Sequence, residues 1–130
     1  LQKVSLTGTV LKPNMIVPGA KSSKKATAEE IAKKTLDCLK KNVPSEVPGI
    51  AFLSGGQSEQ DASKNLDAIN RINDTNFLIT FSYGRALQQS ALKTWSKEMS
   101  NTKAIHSVFN HRSKMNGLAS KGEWSQSLEI

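Results

Sequence analysis

Gly49-Ile50-Ala51-Phe52-Leu53-Ser54-Gly55-Gly56-Gln57-Ser58 is the stretch on which the fold turns. Its first five residues form a continuous apolar run of strand length, and they open directly into a hydroxyl and two glycines. A helical pattern follows. Ser58 with Asp61 three residues on reads as a helix start, and Ala62, Leu66, Ile69 and Ile72 form the inward stripe. Strand, glycine loop and helix make one α/β unit, and the same unit stands on either side of this one. Downstream, Phe77-Leu78-Ile79-Thr80-Phe81 opens into Ser82-Tyr83-Gly84-Arg85 and a helix from about Ala86-Leu87 that uses Ala91, Leu92 and Trp95. Upstream, the short run Val10-Leu11 ends at Lys12-Pro13-Asn14. Its helix begins at the capping box Thr27-Ala28-Glu29-Glu30 and runs to about Asn42 on Ile31, Ala32, Leu36 and Leu39. A fourth helix, roughly Thr102 to Asn116, is expected to bury Ala104, Ile105, Val108, Phe109 and Met115. Apolar strands alternating with amphipathic helices predict a parallel sheet covered on both faces.

Composition narrows the class. The 130 residues are 37% hydrophobic with 8 glycines and 4 prolines, as in a globular domain rather than a tail or a repeat array. No apolar stretch approaches the roughly 18 residues of a membrane span, and Leu1-Gln2-Lys3-Val4-Ser5-Leu6 lacks the apolar core of a signal peptide. The single cysteine, Cys38, is expected to be a small, partly buried helix residue in a reducing compartment, which points to the cytoplasm. A net charge of +7 raises nucleic acid as a partner, but aromatics are only 5% and none interleave with basic residues. A basic field that gathers anionic small molecules accounts for the charge as well. His106 and His111 stand five apart on a helix and point in different directions, so no metal is expected, and no cofactor motif is present.

Lys12 is the residue with chemical promise. A lysine at the end of an apolar strand either snorkels to water or is held there for its amine. At its reference pKa of about 10.4 the amine is almost wholly protonated at neutral pH. A nucleophilic role toward carbonyls therefore requires desolvation or a second cation nearby. The other two strand ends suggest what the amine would meet. Ser54 with Gly55 and Gly56 offers a hydroxyl and unobstructed amides, and Gly84 with Arg85 offers an open amide and a fixed guanidinium. Convergent N–H donors with a guanidinium suit a phosphate. In a (β/α)₈ barrel a phosphate commonly sits in the loops after strands 7 and 8. If these are the last three strands of such a barrel, Lys12, Ser54 and Arg85 fall on strands 6, 7 and 8.

At these residues the chain resembles a known family. Gly8-Thr9-Val10-Leu11-Lys12-Pro13-Asn14-Met15, Phe52-Leu53-Ser54-Gly55-Gly56-Gln57-Ser58 and Thr80-Phe81-Ser82-Tyr83-Gly84-Arg85-Ala86-Leu87-Gln88 are similar to three motifs of class I fructose-bisphosphate aldolase. The likeness extends through Ser90-Ala91-Leu92-Lys93-Thr94-Trp95 and covers nearly the whole chain. It implies a metal-free lyase that cleaves fructose 1,6-bisphosphate, with Lys12 as the Schiff-base lysine and Ser54, Gly55, Gly84 and Arg85 on a substrate phosphate. It also implies a homo-oligomer when complete. Thr7 stands where the family usually has a glutamate, Ser96 replaces a glycine, and the C-terminus lacks the long tail ending in tyrosine of animal and plant members.

The family's proton-transfer carboxylates lie on strands before Lys12. A complete barrel takes about 250 residues, so residues 1–130 read as the C-terminal part of one (β/α)₈ domain, about three βα units and a terminal helix. Such a piece needs the remainder of the barrel as partner and is expected to be inactive alone. Two alternatives share some of these features. One is a non-catalytic phosphate- or polyanion-binding module derived from the fold, and the other is a transaldolase-like lysine enzyme with different loops.

Overall fold

The computed structural model describes residues 3–129. Leu1, Gln2 and Ile130, which belong to the N-terminal run and C-terminal segment considered above, lie outside them. Three parallel strands, β1 (Val10–Leu11), β2 (Gly49–Phe52) and β3 (Leu78–Phe81), lie in the order β1-β2-β3. Val10 pairs with Gly49, Gly49 with Leu78 and Ile50 with Ile79. Four helices accompany them: α1 (Ala28–Asn42), α2 (Glu59–Arg71), α3 (Arg85–Lys97) and α4 (Thr102–Ala119). This is the α/β arrangement expected of a piece of a parallel barrel.

The helix starts follow local chemistry. Thr27 N–H donates to the Glu30 carboxylate (2.9 Å) and Glu30 N–H donates to Thr27 Oγ1 (3.2 Å), so the capping box forms as read. Ser58 Oγ accepts from Asp61 N–H (3.1 Å) and opens α2. Ile31, Ala32, Leu36 and Leu39 of α1 and Ala62, Leu66 and Ile69 of α2 are buried. They pack over Ile50 and Phe52, each fully enclosed, and a side chain of this size contributes about 1.5–3 kcal/mol on burial.

Cover on both faces belongs to a closed barrel, and in this open piece one face of the sheet is left exposed. Successive strand residues face opposite ways. Ile79 is 5% exposed on the helix side, whereas Leu78 is 77% exposed and Val10 65% exposed on the other. Three strands carry one helix layer, and on the other face Val10 and Leu78 stand exposed, with Ser120 reaching only Thr80 at its edge (3.1 Å). At the edge of the sheet β1 is exposed at both of its residues, Val10 on the bare face and Leu11 on the face of Ile50, and so is Lys12.

Other departures have related causes. Leu92 (56%) and Trp95 (47%) line an open cleft between α3 and α4, opposite Ile105 and Phe109, and Ile72 sits beyond the last turn of α2 instead of in its stripe. Helix α4 runs to Ala119, three residues past the expected end. It buries Arg112, Met115, Asn116 and Ala119, while Ala104, Ile105 and Val108 are half-buried and Phe109 is exposed. Cys38 is exposed rather than partly buried.

No local pattern announces the C-terminal strap. After Gly122, whose φ of +70° admits a turn against Arg71, the chain doubles back across α2 and α4. Trp124 N–H donates to buried Asp67 (2.8 Å), Arg71 Nη2 donates to Trp124 O (2.8 Å), and Arg71 Nε bonds the second Asp67 oxygen (2.5 Å). Further on, Glu129 takes both Arg112 guanidinium nitrogens (2.8 and 2.5 Å) and the Trp124 indole N–H (2.8 Å). Burial alone would raise the Glu129 carboxyl, but hydrogen bonds from Arg112 and Trp124, with the charges of Arg112 and His111, hold it below the usual carboxylate range. A depressed folded-state pKa contributes stability that is complete above the unfolded value and lost as pH falls through the folded one. Hydrogen-exchange protection across 123–129 in the complete protein, measured against the intrinsic rate, is therefore expected to fall on acidification through and below the ordinary carboxylate range, and Glu129→Gln should remove that loss. Glu129→Ala, which strands a buried guanidinium, should cost about 3–5 kcal/mol in denaturant unfolding.

Candidate active site

The three strands end side by side because the parallel ladder continues past them. Leu53 N–H donates to Pro13 O (3.0 Å) and Ser82 N–H donates to Phe52 O (2.8 Å). Lys12, Ser54 and the Gly84–Arg85 pair consequently leave from one edge of the sheet, the carboxyl edge, on neighbouring strands.

Each loop has its own support. Beyond Lys12, Met15 is buried and Ile16 N–H donates to Thr35 Oγ1 on α1 (3.0 Å), which anchors the outgoing chain. The Ser54 loop is a tight turn in which Gln57 N–H returns to Ser54 O (3.0 Å), with φ of +57° at Gly55 and +81° at Gly56. Only glycine adopts this pair of conformations without strain. Gln57 locks the turn from its side chain, donating to Ser54 O (3.0 Å) and accepting from Asn65 Nδ2 (2.7 Å) on α2. Gly55 has a second reason to be glycine, since a Cβ there would collide with the Asn14 carboxamide. Asn14 thus joins the Lys12 loop to the Ser54 loop, a role the sequence reading did not single out.

The third loop ends in an open helix start. Tyr83 is buried beneath it, its hydroxyl donates to Ala62 O (3.0 Å), and burial pushes the phenol well up from its ordinary value. Gly84 is the N-cap of α3 and supplies no side chain to the first amides, whereas Thr27, Ser58 and Asn101 cap α1, α2 and α4. Uncapped N–H groups at the positive end of a helix dipole favour an anion. Arg85, the first residue of α3, is exposed beside them.

What the structure does not provide is a bowl around these groups. A cleft of about 770 Å³ lies between the β1–α1 loop and the first turns of α1 and α2, bordered by Lys24, Lys25 and Lys64, and takes in Gln57 but none of Lys12, Ser54, Gly84 or Arg85. Three strands give an edge, and a bowl needs the ring to close. Among the described residues no three His, Cys, Asp or Glu side chains gather as a metal-binding cluster, and no helix is long and apolar enough to cross a membrane.

Residues 1–129 match the model of the family described as fructose-bisphosphate aldolase class-I. The chain belongs to this family. It is 53% identical over 125 residues to fructose-bisphosphate aldolase B of Sparus aurata, covering 95% of this chain and 34% of that protein. With fructose-bisphosphate aldolase 2 of Caenorhabditis elegans it shares 51% identity over 94% of this chain and 34% of the relative. For the probable class 1 aldolase of Xylella fastidiosa the figures are 44%, 95% and 37%. Among solved structures, the Plasmodium falciparum aldolase, crystallised with TRAP and a small-molecule inhibitor, superposes with a TM-score of 0.87 at 41% identity. That superposition covers 92% of this chain and 35% of the other. The chain spans about a third of the length of the curated relatives it matches.

The Gly55 turn gives a direct test of the loop geometry. In the complete barrel, Gly55→Ala is expected to cost about 1–2 kcal/mol from left-handed strain alone, and more through displacement of Asn14. Denaturant unfolding and phosphate-ligand affinity should fall together, while Gly19→Ala, in open space, should leave both unchanged.

Proposed function

We propose that residues 1–130 form the C-terminal part of one (β/α)₈ aldolase domain and carry its imine-forming lysine and a phosphate site. The observation that carries this reading is the common edge: an amine, a left-handed glycine turn and an uncapped helix start leave from adjacent parallel strands. In the completed domain Lys12 is the Schiff-base residue. Its neutral amine adds to the ketone carbon of fructose 1,6-bisphosphate, and loss of water gives a protonated imine. That cation accepts the electron pair of the adjacent carbon–carbon bond as it breaks, releasing glyceraldehyde 3-phosphate. The enamine left on the lysine is protonated and hydrolysed to dihydroxyacetone phosphate, and the reverse sequence makes the bond. This is the aldol cleavage of glycolysis, carried out in the cytoplasm.

The phosphate site fixes the ketone at the amine. Ser54 and the Gly55 amide on one side, and the Gly84–Arg85 start of α3 on the other, hold the ketose phosphate, so binding energy is converted into orientation. The proton-transfer groups and the walls that desolvate Lys12 belong to the remaining strands. Exposed Leu78 and Val10 on the bare sheet face support the rest of the barrel as the partner of this segment. The completed domain is the unit that assembles into a homo-oligomer.

In the complete protein, borohydride added with dihydroxyacetone phosphate should attach substrate mass to the peptide containing Lys12. Label confined to another lysine would refute the assignment, and Lys12→Ala should abolish turnover. The chain alone should show no cleavage and should associate in light scattering instead of running as a 14.2 kDa monomer. Arg85→Ala should weaken phosphorylated ligands by roughly 1.5–3 kcal/mol, the scale of a charge-assisted hydrogen bond, with little effect on unphosphorylated ones.

A further inference from the structure

Helix α3 carries Arg85 on its first residue, and its apolar hold on the fold comes from buried Ala86 and Ala91, half-buried Leu87 and a flank of Leu92 and Trp95 that shares a cleft with Ile105 and Phe109 of α4. Apolar contacts hold the helix against its neighbours without a preferred direction. A directional bond near its start is what can fix where the first turn points.

The Glu59 carboxylate lies where it can do so. One oxygen accepts Ser90 N–H (2.9 Å) and the other accepts the Ser90 hydroxyl. Glu59 is the first residue of α2, five beyond Ser54, and Ser90 is five beyond Arg85, so the tie joins the two helices at matching distances from the two loops. Along α3 that separation is about 7.5 Å of stiff helix. The main chain of Glu59 is itself held. Its carbonyl accepts from Ser63 Oγ (3.1 Å) and Arg112 Nη1 (3.4 Å), and Ser63 Oγ also reaches Asn116 Oδ1 (2.7 Å) on α4. A carboxylate on a fixed backbone, taking two donors from a single residue of its neighbour, defines both the distance and the rotation of that neighbour.

We propose that Glu59 is a positioning residue for the phosphate site, holding the α3 start and Arg85 in register with the Ser54–Gly55 turn. It touches no substrate and acts through Arg85 and the amides beside it. This role rests on the reading of Ser54, Gly55, Gly84 and Arg85 as the phosphate site.

The test uses the complete enzyme with Glu59→Ala, Glu59→Gln, Ser90→Ala and Arg85→Ala, and the double variant Glu59→Ala/Arg85→Ala. The readout is the rate of borohydride trapping on Lys12 at subsaturating dihydroxyacetone phosphate, compared with unphosphorylated dihydroxyacetone, alongside the thermal midpoint. Glu59→Ala should slow trapping of the phosphorylated ketone about tenfold, the worth of one charge-assisted hydrogen bond, and leave the unphosphorylated ketone within about twofold. Glu59→Gln and Ser90→Ala should shift it in the same direction by less, and they carry the test if the alanine variant does not fold. In the Arg85→Ala background the Glu59 change should have almost no further effect, because the group it positions is gone. Equal losses for both ketones, or losses that multiply in the double variant, would make the Glu59–Ser90 tie structural only and overturn the proposal. If Arg85→Ala alone treats the two ketones alike, the phosphate-site reading itself falls, and the role of Glu59 with it.

Discussion

Parallel pairing of β1, β2 and β3 is the constraint from which the other features of this chain follow. In a parallel sheet every strand leaves from the same edge, so the ladder itself brings together loops that are far apart in sequence. The two ladder bonds beyond the strands, from Leu53 to Pro13 and from Ser82 to Phe52, extend that order into the loops. A slip of one residue between β1 and β2 would move Lys12 by about 3.3 Å relative to Ser54. The same slip between β2 and β3 would turn Ile79 away from the helix layer, so burial of Ile50, Phe52 and Ile79 holds the register on which the proposed site depends.

The same pairing leaves one face of the sheet unfinished. Side chains that alternate across a strand cannot all be served by one layer of helices, and Leu78 and Val10 show the cost. Fold and function share this incompleteness. The surfaces that lack a neighbour are those a closing ring would cover, and the residues missing from the chemistry would stand on that ring. Polar anchoring adds direction to the apolar packing: α3 is tied through Glu59, and the C-terminal strap is tied through Asp67, Arg71 and Arg112.

Local signals in the sequence translated well. The capping box at Thr27, the Ser58 start and the glycines at 55 and 84 each act through atoms only a few residues apart, so spacing reveals them. The positions of Lys12, Ser54, Gly84 and Arg85 at strand ends were legible for that reason. Periodicity identified the apolar faces of α2, α3 and α4 but not their cover, which is why Ile72, Leu92, Trp95 and Phe109 were assigned to a core they do not enter. Long-range polar pairs left no trace. Glu59 and Ser90 are 31 residues apart, and Asp67 and Trp124 are 57 apart. Asn14 was quoted within a motif, yet its fit against Gly55 depends on two strands lying side by side.

The Arg112–Glu129 pair has a consequence for biosynthesis. Arg112 leaves the ribosome 17 residues ahead of its carboxylate. At about 5–20 residues per second, the guanidinium waits roughly one to three seconds before it can be neutralised. During that interval its partners are the Glu59 carbonyl and the Ser63 hydroxyl of α2, without a carboxylate. The ion pair, and with it full closure of this corner of the molecule, comes only when the strap has been made.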